Sequence, residues 1–399
     1  MSRRFTLNRI INSMIIILFL VSFNLIIFGC STESRQVDNI YKKENISNRA
    51  ESFNYIISRN NDIFEVNYFP LSVPEIEGVR EEIGGCTVFG NKIYYIVNFP
   101  EEQSTIAKSS RVYEYDTVTG TNKFIYEIKD PEVTWINELR ADEKKLYWTT
   151  LGINKCTLES FDLKTQEVKK IHSISYEPIN RPIVLGGNSR YLAWYEYDIA
   201  TNLFNLASYN LSEEKFSFIN EDSMYFYGFA RPSINRDKAL IIKDVNDILS
   251  FNLINVENFQ IEHKFNLSKE IECVRPQVSK DYIVWNDKRG ENIYFYDFKL
   301  HDVSRISFRE LLDKSVFSMH LFDNILYIHT TAHEDIWFFD LKEKNYGTIT
   351  WLIENSPISG DANYSSSKIS LDNQYISLLD DYTEQYTKHY ACIIKPKYK

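Results

Sequence analysis

Val274-Arg275-Pro276-Gln277-Val278, then Tyr282-Ile283-Val284-Trp285, then Asn292-Ile293-Tyr294-Phe295-Tyr296-Asp297, then Val303 to Phe308: four short runs rich in β-branched and aromatic residues. Asp, Asn, Gly and Lys separate them, so the stretch reads as a four-stranded antiparallel meander. The third run ends on an Asp. Its short carboxylate can bond backbone N–H groups just downstream and so close the turn into the fourth strand.

Working outward from this unit, the same ending returns along the chain. Tyr115-Asp116, Phe161-Asp162, Tyr209-Asn210, Phe251-Asn252, Tyr296-Asp297 and Phe339-Asp340 stand 46, 48, 42, 45 and 43 residues apart. That spacing is the length of a four-stranded propeller blade, a unit that buries its apolar faces only against its neighbours. Second strands carry paired large residues: Tyr94-Tyr95, Tyr147-Trp148, Ala193-Trp194, Leu240-Ile241, Val284-Trp285, Tyr327-Ile328 and Tyr375-Ile376. The pairs number seven, so the expected fold is an all-β, seven-bladed β-propeller of four-stranded antiparallel blades over residues 51–399. The last blade runs out of chain after three strands. One of two early candidates, Phe53 to Ser58 or Ile63 to Phe69, is expected to supply its outer strand and leave no bare sheet edge.

The amino terminus has a different character. Arg3, Arg4 and Arg9 precede an apolar run from Ile10 to Phe28, followed by Gly29-Cys30, which is the pattern of an export signal over residues 1–29. The ending resembles a bacterial lipobox, with Phe28 bulkier than usual; the resemblance implies that Cys30 is lipidated and becomes the mature N-terminus. An uncleaved span would tether the chain in the same way. The expected location is therefore extracytoplasmic, lipid-anchored in a bacterial envelope membrane. Residues 30–50 are polar and read as a flexible tether. Loss of Arg3, Arg4 and Arg9 takes the net charge from −10 to −13, which argues against a nucleic-acid partner. Cys86, Cys156, Cys273 and Cys392 are widely spread and are read as buried thiols.

Arg275-Pro276-Gln277-Val278-Ser279-Lys280-Asp281 with Ile283-Val284-Trp285 and Tyr294-Phe295-Tyr296-Asp297 resembles the repeat of TolB-like (WD40-like) propellers, and Arg231-Pro232-Ser233-Ile234-Asn235-Arg236-Asp237 is a looser copy. The resemblance covers roughly residues 82–399 and is carried by blades 4 and 5; blades 1 and 2 lack the Pro. It implies a propeller that binds partners or ligands on its faces and central channel. That family holds scaffolds, peptidase-attached propellers and a few enzymes, so it implies no single activity.

Two constellations could carry chemistry. Arg181, Arg231 and Arg275 each precede a Pro at the start of a first strand, where a missing N–H is tolerated. At one level around the channel mouth they would form a clamp for carboxylate, sulfate or phosphate groups; alternatively, each pairs with an acid of a neighbouring blade and fastens the ring. Blade 6 holds His320, His329 and His333 with Glu334 and Asp335, groups able to bind a metal or move protons, at a spacing that is not diagnostic. Asp244, Asn246 and Asp247 read as a solvated turn, not a calcium loop. Among the aromatics, only those in turns (Tyr225, Tyr227, Tyr382, Tyr386) are candidates for sugar contact. No nucleophile elbow, phosphate loop, dinucleotide fingerprint or zinc spacing occurs, and neither cofactor nor metal is expected.

The function expected is a membrane-anchored binding or interaction module, acting as a monomer on a protein or envelope polysaccharide, with Arg181, Arg231, Arg275, His320 and His333 as ligand-binding candidates. The competing expectation is a metal-assisted enzyme, similar to propeller lyases, acting on acidic polysaccharide.

Overall fold

A computed structural model describes residues 40–56, 63–72, 82–100, 107–128, 133–152, 155–175, 183–198, 203–219, 231–330, 336–349, 361–382 and 387–397. Seven sheets follow one another along the chain, each a run of four antiparallel strands. Blade 5 illustrates the unit: Val274–Val278, Tyr282–Asn286, Asn292–Asp297 and Asp302–Ser307 pair in simple sequence order. First strands lie side by side around an axis, and fourth strands form the outer edge. The molecule is a seven-bladed β-propeller.

The large residues predicted for second strands are the reason the sheets stack. Both members of all seven pairs, from Tyr94-Tyr95 to Tyr375-Ile376, are buried at 2 % exposure or less. Neighbouring strand residues point to opposite faces, so each pair serves two interfaces. Tyr95 joins the cluster between blades 7 and 1, and Tyr94 the one between blades 1 and 2. Trp194 likewise faces blade 2 while Ala193 faces blade 4. Each fully buried side chain of this size contributes about 1.5–3 kcal/mol from removed apolar surface.

The turns between third and fourth strands close as the Asp/Asn pattern requires. The Oδ1 atoms of Asp116, Asp162, Asn210, Asp297 and Asp340 each accept hydrogen bonds from the backbone N–H groups two and three residues on. Blade 4 departs from the expected register. There the turn is made by Asn255, which accepts from Glu257 and Asn258. Asn252 lies buried inside the third strand, Ile248–Asn255, and donates to Ser250 O. The turn thus falls three residues later than expected, because Asn252 is paired within the strand, opposite Ile241 and Lys264, and Phe251-Asn252 only mimics the aromatic–Asn signature.

Blade 7 is completed from the amino-terminal side. Its chain-terminal strands are Asp361–Ile369, Tyr375–Tyr382 and Thr387–Pro396, and the outer strand is Phe64–Leu71, antiparallel to the last with Tyr68 opposite Cys392 and Val66 opposite Ile394. Of the two early candidates, the second makes the closure. Phe64 anchors it, buried and packed edge-on to Phe338 of blade 6 at 4.8 Å between ring centres.

Residues 41–56 differ from the expected flexible tether over 30–50. They run along the outer edges of blades 4 to 6. Tyr41 stacks edge-on against Phe265 and Tyr296 and donates to the His301 carbonyl at 2.6 Å. Ser47–Asn48 pairs in parallel with Asp302–Ser307, and Asn54–Tyr55 with Asn345–Thr348. Ile46, Ala50 and Phe53 are buried, and Arg49 pairs with Asp302 at 2.8 Å. A sparse set of apolar residues in a polar segment suffices here, because the host edge supplies backbone hydrogen bonds and the gaps between blades supply the pockets.

One five-residue helix, Phe308–Leu312, follows blade 5; Ser307 caps it by accepting from Glu310 N, so the fourth strand ends one residue short of its expected limit. Cys86, Cys156, Cys273 and Cys392 are buried and none forms a disulfide, and burial pushes the Cys392 thiol up to about 12. Asn246 and Asp247 have left-handed backbone and Asp244 pairs with Lys269, which makes this a hairpin turn.

Candidate functional site

First strands place polar side chains around the axis, and between blades 3 and 7 these surround a cavity of ≈350 Å³. Residues from six of the seven blades line it, including Arg140 of blade 2 and Lys368 of blade 7. Its rim is formed by turns between first and second strands, where Arg190, Arg236 and Asn373 are exposed, so the cavity opens on the face that carries the tight turns. Gly186 permits this convergence. A Cβ there would lie 2.0 Å from the Pro232 carbonyl oxygen, so blades 3 and 4 could not approach with any other residue.

At its floor is a cluster of buried charge. Glu138, Arg140 and Lys368 are 5 %, 3 % and 3 % exposed, and Arg231 is half-buried. Arg231 Nη2 donates to Glu138 Oε1 at 2.9 Å and its Nη1 donates to the Ser367 carbonyl at 3.4 Å, so one guanidinium joins blades 4, 2 and 7. Lys368 Nζ and Arg140 Nη2 stand 3.7 and 3.9 Å from Glu138 Oε2. Arg140 also donates to the Leu185 carbonyl. Burial by itself would raise the Glu138 pKa; Arg231, Lys368 and Arg140 outweigh it and hold the carboxyl at about 2. Burial, opposed by Glu138 and reinforced by Arg140 and Arg231, pushes Lys368 down to about 8.

His320 completes the wall. Its Nε2 shares a hydrogen bond with Ser367 Oγ at 3.0 Å. Burial first, then Arg231, His329, Arg140 and Lys368, lower its pKa well below the usual value, so the ring is neutral at pH 7. His329 is buried one strand away and bonds the Tyr375 hydroxyl.

Of the expected site residues, the structure brings Arg231 and His320 together at this cavity. Arg275 is elsewhere. A bulge between Val274 and Gln277 gives it φ 51° and turns its side chain outward to an exposed position, which breaks the expected level of three arginines. Arg181, His333, Tyr225, Tyr227, Tyr386 and the lipidation residue Cys30 lie outside the described residues. Among the described residues no group of three His, Cys, Asp or Glu stands close enough to hold a metal ion.

Sequence reasoning missed Glu138, Arg140 and Lys368. A usable signal was present: Glu138 and Arg140 share one face of a strand otherwise built from Trp135, Ile136, Leu139 and Ala141, and Lys368 follows three serines in the first strand of blade 7. Charge within a regular stretch of an innermost strand, flanked by buried apolar residues, points to the channel, whereas a bulge such as that at Arg275 breaks the rule.

No protein-family profile matches this chain, and no curated protein does. Solved structures do. The β-propeller domain of the Trilobed protease from Pyrococcus furiosus, described as having an open velcro topology, superposes with a TM-score of 0.55 at 13 % identity, covering 80 % of this chain and 98 % of that one. The acylaminoacyl peptidase of Pyrococcus horikoshii gives 0.48 at 13 %, over 78 % and 52 %, and BamB from Moraxella catarrhalis gives 0.39 at 12 %, over 61 % and 68 %. At such identities the likeness is one of fold.

Proposed function

We propose that this chain is a lipid-anchored extracytoplasmic propeller that works as a binding module and recognises its ligand or partner through the tight-turn face and the cavity behind it. The observation that carries this reading is convergence: residues of six blades, in first strands and the segments beside them, line one solvent-open cavity of ligand-binding size. The export signal, the Gly29-Cys30 ending and the repeat-level likeness to TolB-like propellers support the location and the role. Folds of this kind host many functions, so the site and not the fold bears the argument.

The lyase-like alternative requires the blade 6 histidines as metal ligands or base. His320 and His329 instead engage Ser367 and Tyr375. The geometry favours binding.

Two variants test the proposal in cells of the native host. The wild-type chain should incorporate labelled fatty acid and Cys30→Ser should not; a wild-type chain without label, or equal label in the variant, would remove lipidation of Cys30 from the account. Gln277→Trp fills the cavity from its half-buried wall. After mild crosslinking it should lose the molecules that the wild-type chain retains, and an unchanged set would show that recognition occurs elsewhere.

A further inference from the structure

Resting on that reading of the cavity as the recognition site, we infer that it is an oxyanion-binding site, in which Arg140 and Arg231, backed by Lys368, hold the carboxylate, phosphate or sulfate group of a ligand entering from the tight-turn face. Charge balance is the first argument. Three cations, Arg140, Arg231 and Lys368, surround one carboxylate, Glu138, which leaves an excess of two positive charges at the cavity floor. Fastening blades together needs one partner per carboxylate. Buried cations beyond that number cost stability unless something else neutralises them.

Unmade hydrogen bonds are the second. Arg140 Nε and Nη1 and Arg231 Nε are buried and have no partner among the described residues. Arg140 is 3 % exposed and lines the cavity. Native structures seldom leave a charged donor so placed, because a buried donor without an acceptor has lost its water and gained nothing in return. A bound oxyanion accepts such donors in pairs along a guanidinium edge, the geometry in which Arg recognises planar or tetrahedral anions.

At the rim the charges balance: Arg190 and Arg236 stand there with Asp323, and Arg190 is paired to Glu257 at 3.1 Å, so the positive excess lies at the floor. In a chain of net charge −10, a positive cavity is a local reversal that draws anions. Neutral His320 adds a hydrogen-bonding wall without charge. The ≈350 Å³ volume admits a sugar acid, an amino acid or a phosphorylated fragment, or the terminal unit of a longer chain.

The test uses the full chain purified in detergent. Glucuronate, inorganic phosphate and inorganic sulfate are titrated calorimetrically against wild type, with glucose as the uncharged probe, and each is repeated by thermal unfolding. At least one anion should bind saturably at one site and raise Tm while glucose does neither; preference for glucuronate assigns a carboxylate ligand, and preference for phosphate or sulfate a tetrahedral one. Arg231→Gln and Arg140→Gln should each weaken binding roughly tenfold or more, with Arg309→Gln, at the outer surface, as the unchanged control. Because Arg140 is deeply buried, Arg231→Gln decides if Arg140→Gln fails to fold. Absence of saturable binding by all three anions up to roughly 10 mM, or equal affinity in Arg231→Gln, overturns the inference. Crosslinked partners that are still lost in Gln277→Trp would then leave the binding-module reading standing alone.

Discussion

Lys368 and Glu138 make stability at this site depend on pH in opposite windows. Folded Lys368 titrates at about 8 against an ordinary 10.5, so between those values the unfolded chain holds the extra proton and stability rises with pH, by up to ~3 kcal/mol. Lys368→Met removes that rise. The quantity to measure is the wild-type minus variant difference in unfolding free energy from pH 8 to 10, since tyrosines raised by burial, such as Tyr191 at about 12, act in the opposite sense above pH 10. A difference flat across the window would contradict the account. Glu138 behaves as a depressed acid, fully stabilising above 4.5 and losing its contribution as pH falls towards 2. Glu138→Gln should cost about 3–5 kcal/mol in a urea melt at pH 7, because it leaves three cations without their carboxylate. At this scale the sequence was uneven. Turn residues such as Asp116 and Asp297 were legible because their chemistry is local, whereas Glu138, Arg140 and Lys368 acquire meaning only when blades 2, 4 and 7 meet. Asn252 was mistaken for Asn255 for the same reason in reverse: a local signature was read without the strand that contains it.

At the scale of elements, the segment 41–56 acts as a belt. It adds short parallel strands to blades 5 and 6 and inserts Phe53 between Phe295 and Phe339, with ring centres at 6.4 and 5.8 Å. The apolar cluster of blades 4, 5 and 6 is continuous and includes Ile46, Ala50 and Phe53. Phe53→Ala should therefore destabilise the protein by about 3 kcal/mol in denaturant unfolding, whereas a segment not packed on the blades would show no change. Gly347 provides a second check. A Cβ there would stand 2.5 Å from the Ile56 carbonyl oxygen, so Gly347→Ala should displace the belt and cost about 1–3 kcal/mol, while Gly120→Ala, whose nearest neighbour is the Tyr115 hydroxyl at 3.8 Å, should cost only the strain of its φ of 69°, about 1 kcal/mol. Only the end of the belt was legible in sequence, as the candidate strand Phe53 to Ser58, of which Asn54–Tyr55 pairs with blade 6; the rest was not, because its apolar residues are few and unperiodic and what orders it is an edge made by residues some 250 positions away.

For the whole molecule, closure is the decisive feature. Without Phe64–Leu71, the strand Thr387–Pro396 would expose a row of unpaired backbone groups, and the ring would have a seam held only by side chains. The repeat made seven blades legible, and the missing fourth strand of the last made closure necessary; which early segment supplied it depended on Phe64 finding blade 6. The channel, its cavity and the cluster of Glu138, Arg140, Arg231 and Lys368 all depend on that ring being closed. Register places Tyr68 directly across from the native thiol Cys392 on the adjacent antiparallel strand, at a separation compatible with a disulfide. The most direct measurement is therefore refolding of Tyr68→Cys from denaturant in an oxidising thiol–disulfide buffer, where the Cys392 thiol is accessible before burial, followed by peptide mass mapping, with Tyr68→Cys/Cys392→Ser as control. A 68–392 disulfide that forms on refolding and raises Tm is the expected result; two thiols that stay reduced in the refolded protein would contradict closure and the site built on it.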